Sequence, residues 1–166
     1  MKNKIRVRFA SSPGKWINRE HIRKSNSSDL VSMIRSSVPT SVPDSSLRTA
    51  CSLAAERAHT ITELSDACVS IFSRNDGSYY RGVVDDESLG FLCDFRHVLS
   101  DVAPSTFNAG SAKAYFDATI ELSDISPRKA GIALRAILCS NKVGPSIFEI
   151  MELLGLIECL ERLESA

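Results

Sequence analysis

Apolar residues recur at the spacing of an α-helix along almost the whole chain after residue 26, and this periodicity limits the fold more than any other feature. Within 45–58, for example, they fall every three or four positions, at Leu47, Ala50, Cys51, Ala54 and Ala58. The alternation typical of a β-strand occurs only at 6–10, and no second parallel strand follows, which excludes a βαβ nucleotide-binding fold. The sequence therefore predicts an all-α protein with one short N-terminal strand.

Capping and turn residues divide this pattern into separate helices. The predicted helices cover 27–35, 45–58, 86–102, 106–121, 146–154 and 156–164, with two more that begin after Thr60 and at Pro127. Thr60 and Glu63 form the sequence pattern of a capping box. Ser105, after Pro104, is expected to cap the helix at 106–121. In the helix at 86–102, the predicted inward face consists of Leu89, Leu92, Cys93, Phe95 and Val98.

The 166 residues are enough for two small helical bundles in tandem. We place them at 15–103 and 104–166, divided at the Ala-Pro-Ser segment 103–105, with the turn-rich loop at 74–85 as the alternative boundary. Residues 1–14 precede both bundles. Since their strand has no partner strand, we expect an unpaired, mobile arm.

The five cysteines favour a structural role over metal or redox chemistry. They are scattered, without the paired spacing of a metal site, and most occupy apolar positions of helical patterns: Cys51, Cys68, Cys93, Cys139 and Cys159. The acidic triplet at 85–87 is better explained as charge at a helix N-terminus than as a catalytic pair. No apolar run approaches 18 residues and no signal peptide is evident, so we expect a cytoplasmic protein without membrane contact and without a metal site.

The net charge of zero conceals an uneven distribution. Residues 1–35 contain nine lysines and arginines against two carboxylates, and 125–146 contains four cations and no carboxylate: Arg128, Lys129, Arg135 and Lys142. Two basic regions on an otherwise acidic chain are typical of a protein with a polyanionic partner. A solvated surface with locally uneven charge is the alternative.

The C-terminal part carries a family resemblance. It contains Leu134-Arg135 and Leu138, a polar turn at 139–143, Gly144-Pro145, and the ending "FEIMELLGLIECLERLE". Together with "KWINREHIR" at 15–23 and "AERAHTITEL" at 55–64, this order resembles the anticodon-binding region of bacterial-type glutamyl-tRNA synthetases, which are class I aminoacyl-tRNA synthetases of protein biosynthesis. The resemblance covers about residues 15–166 and implies a helical anticodon-binding cage with two subdomains.

The first residues resemble the start of the same family. "RVRFASSP" at 6–13 is similar to the first catalytic-domain strand, so that residues 1–14 are interpreted as its remnant. In the family, the positions matching Arg8, Ala10 and Ser12 contact glutamate. The motifs H-I-G-H and K-M-S-K-S are absent here, as though one internal deletion joined the two ends of a synthetase. The ATP site of the intact family is therefore missing, and we expect no bound cofactor and no aminoacylation by this chain alone.

RNA recognition is the function that the resemblance leaves in place. It implies that Arg57 reads the last anticodon base of tRNA(Glu). It also implies that Arg135 and the turn containing Gly144, Pro145 and Ile147 cradle the other bases. Lys142 is assigned to RNA phosphate, and we expect the protein to act as a monomer. The alternative is a degenerate helical protein, or a protein-interaction module, without RNA affinity. Two departures from the family pattern favour that alternative: Ala133 where proline is usual, and Cys139-Ser140 where Thr-Gly is usual.

Overall fold

The computed structural model describes residues 13–74, 82–139 and 144–165, with side chains from residue 19 onward. No residue in these ranges lies in a β-strand, which confirms the predicted all-α fold. The helices are, in chain order, α1 (Pro13–Lys24), α2 (Ser27–Ile34), α3 (Asp44–Ala55), α4 (Ile61–Phe72), α5 (Asp86–Ser100), α6 (Ala109–Glu121), α7 (Pro127–Cys139), α8 (Ile147–Leu154) and α9 (Leu156–Glu164). Short 3-10 turns at Arg35–Ser37 and Pro104–Thr106 precede α3 and α6. The strand predicted at 6–10 lies outside the described residues.

The connection between α3 and α4 is fixed by the capping residues that the sequence predicts. The hydroxyl of Thr60 accepts a hydrogen bond from the N–H of Glu63 at 3.1 Å. The carboxylate of Glu63 reaches one residue further back than in a regular capping box and accepts from the N–H of His59 at 2.8 Å. Side chains therefore satisfy the N–H of Glu63 in the first turn of α4 and the N–H of His59 just before the helix.

The start of α6 differs from the predicted one. Ser105 lies inside the 3-10 turn, and the N-terminal cap of α6 is Asn108. Asn108 Oδ1 accepts from the N–H of Ser111 at 3.0 Å, and Ser111 Oγ accepts from the N–H of Asn108 at 2.9 Å. This reciprocal pair explains why α6 forms although the sequence favours a weaker helix there.

One continuous hydrophobic core joins the helices, from Ile22 in α1 to Leu163 in α9. At its centre Phe116 packs edge to face against three other rings, with centroid distances of 5.3, 5.8 and 5.4 Å to Phe91, Phe95 and Phe148. These contacts hold α5, α6 and α8 together. The subdomain boundary at 103–105 stays a prediction, and it falls in the short connection between α5 and α6. No helix within the described ranges has both the length and the apolar character needed to cross a membrane.

Four of the five cysteines are buried, as their apolar positions predict. Cys51, Cys68, Cys139 and Cys159 are at most 2% exposed, and none of the five is in a disulfide. Cys93 was predicted to face inward but is exposed. The inward face of α5 consists of Ser88, Phe91, Leu92, Phe95 and Leu99. The correction follows from the helical period, because position 93 is two residues from both Phe91 and Phe95 and therefore lies on the opposite side of α5.

Candidate nucleic-acid interface

The α3–α4 connection and the turn before α8 meet at one surface pocket of about 280 Å³. We call it the junction pocket. It is lined by Ala54, Arg57, Ala58, Glu63, Asp66, Ala67, Gly144 and Pro145. Two segments to which the sequence assigns RNA contacts, far apart along the chain, therefore face the same space.

Local hydrogen bonding fixes the backbone at Arg57. The helix α3 ends at Ala55, and the N–H groups of Arg57 and Ala58 both donate to the carbonyl of Ala54, at 3.1 and 3.0 Å. Ala58 is buried, whereas the side chain of Arg57 is exposed. Within the described part of the chain, no hydrogen bond or ion pair occupies the Arg57 guanidinium. Arg57 lines the pocket, and its planar set of N–H donors has no described partner.

Arg135, on α7, holds the turn that forms the other wall of the pocket. Its side chain is half-buried, and Nη2 donates to the carbonyl oxygen of Pro145 at 2.6 Å. Burial lowers the pKa of Arg135 below the ordinary arginine value, and the positive charge of nearby Arg57 acts in the same direction, partly offset by Cys139. An arginine keeps its proton even so, and two positive charges therefore lie close to the pocket, whose lining also includes the carboxylates of Glu63 and Asp66.

Gly144 packs directly against this arginine. A Cβ atom at position 144 would lie 3.0 Å from Nη1 of Arg135, closer than an ordinary van der Waals contact. A side chain here would require the guanidinium to shift by a few tenths of an ångström, which would strain its hydrogen bond to Pro145. Glycine is therefore favoured by close approach, and not by an unusual backbone angle, since the only glycine with a positive φ among the described residues is Gly155.

The side chain of Ile147 lies behind the turn and not on its surface. It is 7% exposed and belongs to the core at the start of α8. Its packing fixes the position of the turn, while the pocket wall itself is formed by Gly144 and Pro145. Any contact of position 147 with a bound base would therefore come from its backbone.

Arg162 is the residue near the interface that sequence reasoning missed. Its side chain is 4% exposed, and Nη1 donates to the carbonyl of Ile71 at 2.8 Å and also to that of Leu138. Nε donates to Glu158 at 2.8 Å. Ile71 and Leu138 lie in the last turns of α4 and α7, whose carbonyls lack partners within their own helices. Arg162 therefore anchors the end of α7, from which the chain proceeds towards Gly144.

Glu158 compensates the buried charge of Arg162. Burial acts to raise its pKa, but hydrogen bonds from Arg74 and Arg162 leave the pKa of Glu158 below its ordinary value. Arg74 also contacts Glu161 at 2.5 Å. The only sequence signal for this network is the Glu158–Arg162 spacing of four residues, with the arginine next to Leu163 on the apolar face of α9.

The cations of the basic segment 125–146 do not act alike. Lys129 pairs with Asp85 at 2.7 Å and with Glu87, so its charge is used within the protein. Arg128 is exposed at the first turn of α7, and Arg135 holds the turn beside the junction pocket. Asp85 also caps α5, which agrees with the structural interpretation of the acidic triplet.

Lys142 lies in the undescribed segment 140–143, and the residues matched to glutamate contacts, Arg8, Ala10 and Ser12, precede the described part of the chain. Their assignments stay predictions. Of the six residues assigned to tRNA, the structure brings Arg57, Gly144 and Pro145 together at the junction pocket. It places Arg135 against the turn, bonded to Pro145, and Ile147 in the core.

Comparison with known proteins gives a family match over most of the chain. The model of the anticodon binding domain family matches residues 26–166. A glutamate–tRNA ligase of Geotalea uraniireducens is 28% identical over 159 residues, which cover 91% of this chain and 33% of the ligase. A glutamate–tRNA ligase of Mycobacterium marinum is 31% identical over 170 residues, which cover 96% of this chain and 34% of the ligase. The chain thus spans about a third of the length of these relatives.

Two solved structures share the fold. A glutamate–tRNA ligase from Elizabethkingia meningosepticum superposes with a TM-score of 0.74 at 18% identity, over 91% of this chain and 31% of that one. The glutamate–tRNA synthetase of Elizabethkingia anophelis gives a TM-score of 0.71 at 17% identity, over 96% of this chain and 32% of that one. These comparisons confirm the resemblance to the anticodon-binding region of glutamyl-tRNA synthetases that the short sequence motifs indicate.

Proposed function

Because the chain belongs to the anticodon binding domain family, we propose that it binds the anticodon of a transfer RNA. The bases of an anticodon loop are single-stranded, so a protein can stack them and read their hydrogen-bonding edges. The junction pocket offers the groups that such reading requires, a guanidinium on one segment and a tight backbone turn on another.

In this proposal Arg57 and Arg135 have separate roles. Arg57, exposed and without a described partner, donates to the edge of the last anticodon base. Arg135 holds the turn through Pro145 and contributes positive charge, and the turn supports the remaining bases. The observation that carries the proposal is the convergence of Arg57, Gly144 and Pro145 on one pocket although they are distant in sequence.

We further propose tRNA(Glu) as the specific partner. The relatives and the solved structures that share this fold are ligases for glutamate and its tRNA. The positions that match the family motif include both arginines and the Gly-Pro turn. The match supports the same anticodon preference, which measurement of binding can test without any catalytic step.

The test is a binding titration of the purified chain with tRNA(Glu) and with an unrelated tRNA at one fixed salt concentration. We expect tighter binding of tRNA(Glu), with a difference that disappears when its anticodon bases are exchanged. Equal affinity for both RNAs would reduce the proposal to charge attraction. Absence of binding to either would favour a helical protein without RNA function.

Lys142 provides a second arm of the same experiment. If Lys142 contacts phosphate, Lys142→Ala should weaken all tRNAs to a similar extent and reduce the slope of log affinity against log salt by about one. A lysine on phosphate carries no sequence information, so the preference among anticodons should not change. A selective loss for tRNA(Glu) would instead assign Lys142 to base recognition.

A further inference from the structure

Two buried thiols, Cys51 of α3 and Cys68 of α4, lie in direct contact in the core. Their Sγ atoms are 4.0 Å apart, and both residues are 0% exposed. Within the described ranges, this contact is the only hydrogen bond of either sulfur. The two cysteines are 17 residues apart in the sequence, so their pairing follows from the fold and not from a spacing motif.

The other two buried thiols are arranged differently. Cys159 Sγ donates to the carbonyl oxygen of Met151 at 3.6 Å, and no hydrogen bond joins it to Cys139 in the part of the chain that the structure describes. Among the described cysteines, only Cys51 and Cys68 therefore have sulfur atoms in hydrogen-bonding contact with each other.

The contact lies between the two helices that flank the α3–α4 connection. This connection, residues 56–60, carries Arg57 at the junction pocket. The sulfur atoms must approach each other by about 2 Å to reach covalent distance. A bond between them would close a loop that contains the whole connection, and would limit how far α3 and α4 can separate.

The contact also makes the two thiols unequal. The hydrogen bond between them lowers the pKa of Cys51 and raises the pKa of Cys68, while burial opposes the first effect and adds to the second. Since the thiolate is the reactive form of cysteine, Cys51 is the sulfur that reacts first. Cys68 then lies beside it as the thiol that completes the reaction.

Burial restricts which oxidant reaches the pair. A bulky or charged disulfide reagent is excluded from thiols that are 0% exposed. Hydrogen peroxide is neutral and close to water in size, so that small local openings of the helix packing admit it.

We propose that hydrogen peroxide oxidises Cys51 and Cys68 to a disulfide that locks α3 to α4 around the connection that carries Arg57. The Cys51 thiolate attacks one oxygen of the peroxide, the O–O bond breaks, and the hydroxide that leaves takes up the thiol proton to form water. The Cys68 sulfur then attacks the sulfenic acid formed on Cys51, the S–O bond breaks, and a second water leaves with the proton of Cys68. In total, two electrons pass from the two thiols to one peroxide.

The experiment treats the folded full chain with hydrogen peroxide, alkylates the remaining thiols after unfolding, and digests the protein with trypsin without reduction. Trypsin cleaves after Arg48, Arg57 and Arg74, so that the peptides 49–57 and 58–74 contain one cysteine each. Mass spectrometry should find these two peptides joined, at least about tenfold more abundantly than any pair with Cys139 or Cys159. Other pairs in comparable yield, or no joined peptides at a peroxide dose that oxidises the exposed Cys93, overturn the inference.

A second measurement tests whether the bond locks the helices. The oxidised protein should melt about 5–10 °C higher than the reduced protein, because the closed loop restricts the unfolded chain, and dithiothreitol should reverse the rise. Peroxide should not raise the melting temperature of Cys68→Ser. It should raise that of Cys159→Ser, the matched control for loss of a buried thiol, as in the unchanged protein. A joined protein that melts at the temperature of the reduced one would show that the bond locks nothing. No RNA is needed, so the outcome is independent of the proposed function.

Discussion

Arg135 Nη2 donates a hydrogen bond to the carbonyl oxygen of Pro145 at 2.6 Å, and this bond ties α7 to the turn that carries Gly144. Nη1 of the same guanidinium lies 3.0 Å from the place that a Cβ on Gly144 would occupy. One arginine thus holds the turn and fills the space beside it. The shape of the junction pocket depends on both properties at once.

This relationship gives the first prediction, for Gly144→Ala. The added methyl group should displace the Arg135 side chain and weaken its bond to Pro145, while the backbone angle at 144 tolerates alanine. We expect RNA affinity to fall by ~1 kcal/mol, about fivefold, as for the loss of one hydrogen bond. Gly90→Ala in α5 is the matched control, because a Cβ there meets nothing within 4 Å. It should leave RNA binding unchanged and stabilise the fold by ~0.5–1 kcal/mol.

The second prediction concerns the buried arginine of α9. Arg162→Met removes the partner of two helix-end carbonyls and leaves Glu158 with less compensation for its charge. We expect the free energy of unfolding to fall by ~3–5 kcal/mol in a urea titration. The control Lys113→Met breaks an exposed ion pair with Asp117 and should cost no more than ~0.5 kcal/mol. Similar losses in the two variants would show that Arg162 does not anchor the helix ends.

The third prediction concerns how the stability of the folded protein depends on pH in the acidic range. The hydrogen bond from Lys129, followed by those from Ser88, lowers the pKa of Asp85 from its ordinary 3.8 to about 2. A lowered pKa stabilises the folded state above pH 3.8, and that stabilisation is lost as the pH falls towards 2. We expect the melting temperature to drop less between pH 4 and pH 2 in Lys129→Met and in Asp85→Asn than in the unchanged protein. Identical pH profiles for all three would contradict the assignment.

The fourth prediction tests the environment of the cysteines by thiol labelling. The exposed Cys93 should react rapidly with a water-soluble disulfide reagent in the folded protein. The other four thiols are buried, and burial raises the pKa of Cys139 to about 11 and that of Cys159 to about 12. They should react only after unfolding. Cys93→Ser should abolish the rapid phase, and more than one rapidly reacting thiol would contradict the described packing.

Local signals in the sequence predicted the helices from α2 onward and their exact starts less well, whereas α1 (Pro13–Lys24) was not predicted. Thr60 and Glu63 predict the start of α4 because the whole capping pattern lies within four consecutive residues. The predicted start of α6 was wrong because Ser105 and Asn108 are both residue types that cap helices. Only the reciprocal hydrogen bonds between Asn108 and Ser111 decide between them. The inward placement of Cys93 was wrong because it followed the apolar character of the residue, whereas the helical period places position 93 opposite to Phe91 and Phe95.

The candidate site depends on contacts between distant segments, which periodicity and spacing do not reveal. Arg57 and Gly144 were paired through family resemblance, and the structure places both at one pocket. Arg162 has no such signal, because its partners at Ile71 and Leu138 lie on two other helices. Burial of an arginine on the apolar face of a helix can be predicted only when the carbonyl groups that accept its hydrogen bonds, here at the ends of α4 and α7, are known to lie beside it.

The most direct test of the account compares the unchanged protein with Arg57→Ala. Both are titrated with the tRNA(Glu) anticodon stem-loop RNA and with the same RNA changed at the last anticodon base. If Arg57 reads a base edge from the junction pocket, Arg57→Ala should cost about 1–3 kcal/mol for the cognate RNA and flatten the preference at that base. An equal loss of affinity for the cognate and the changed RNA would show that Arg57 is only a phosphate contact or a structural residue, and would contradict the account.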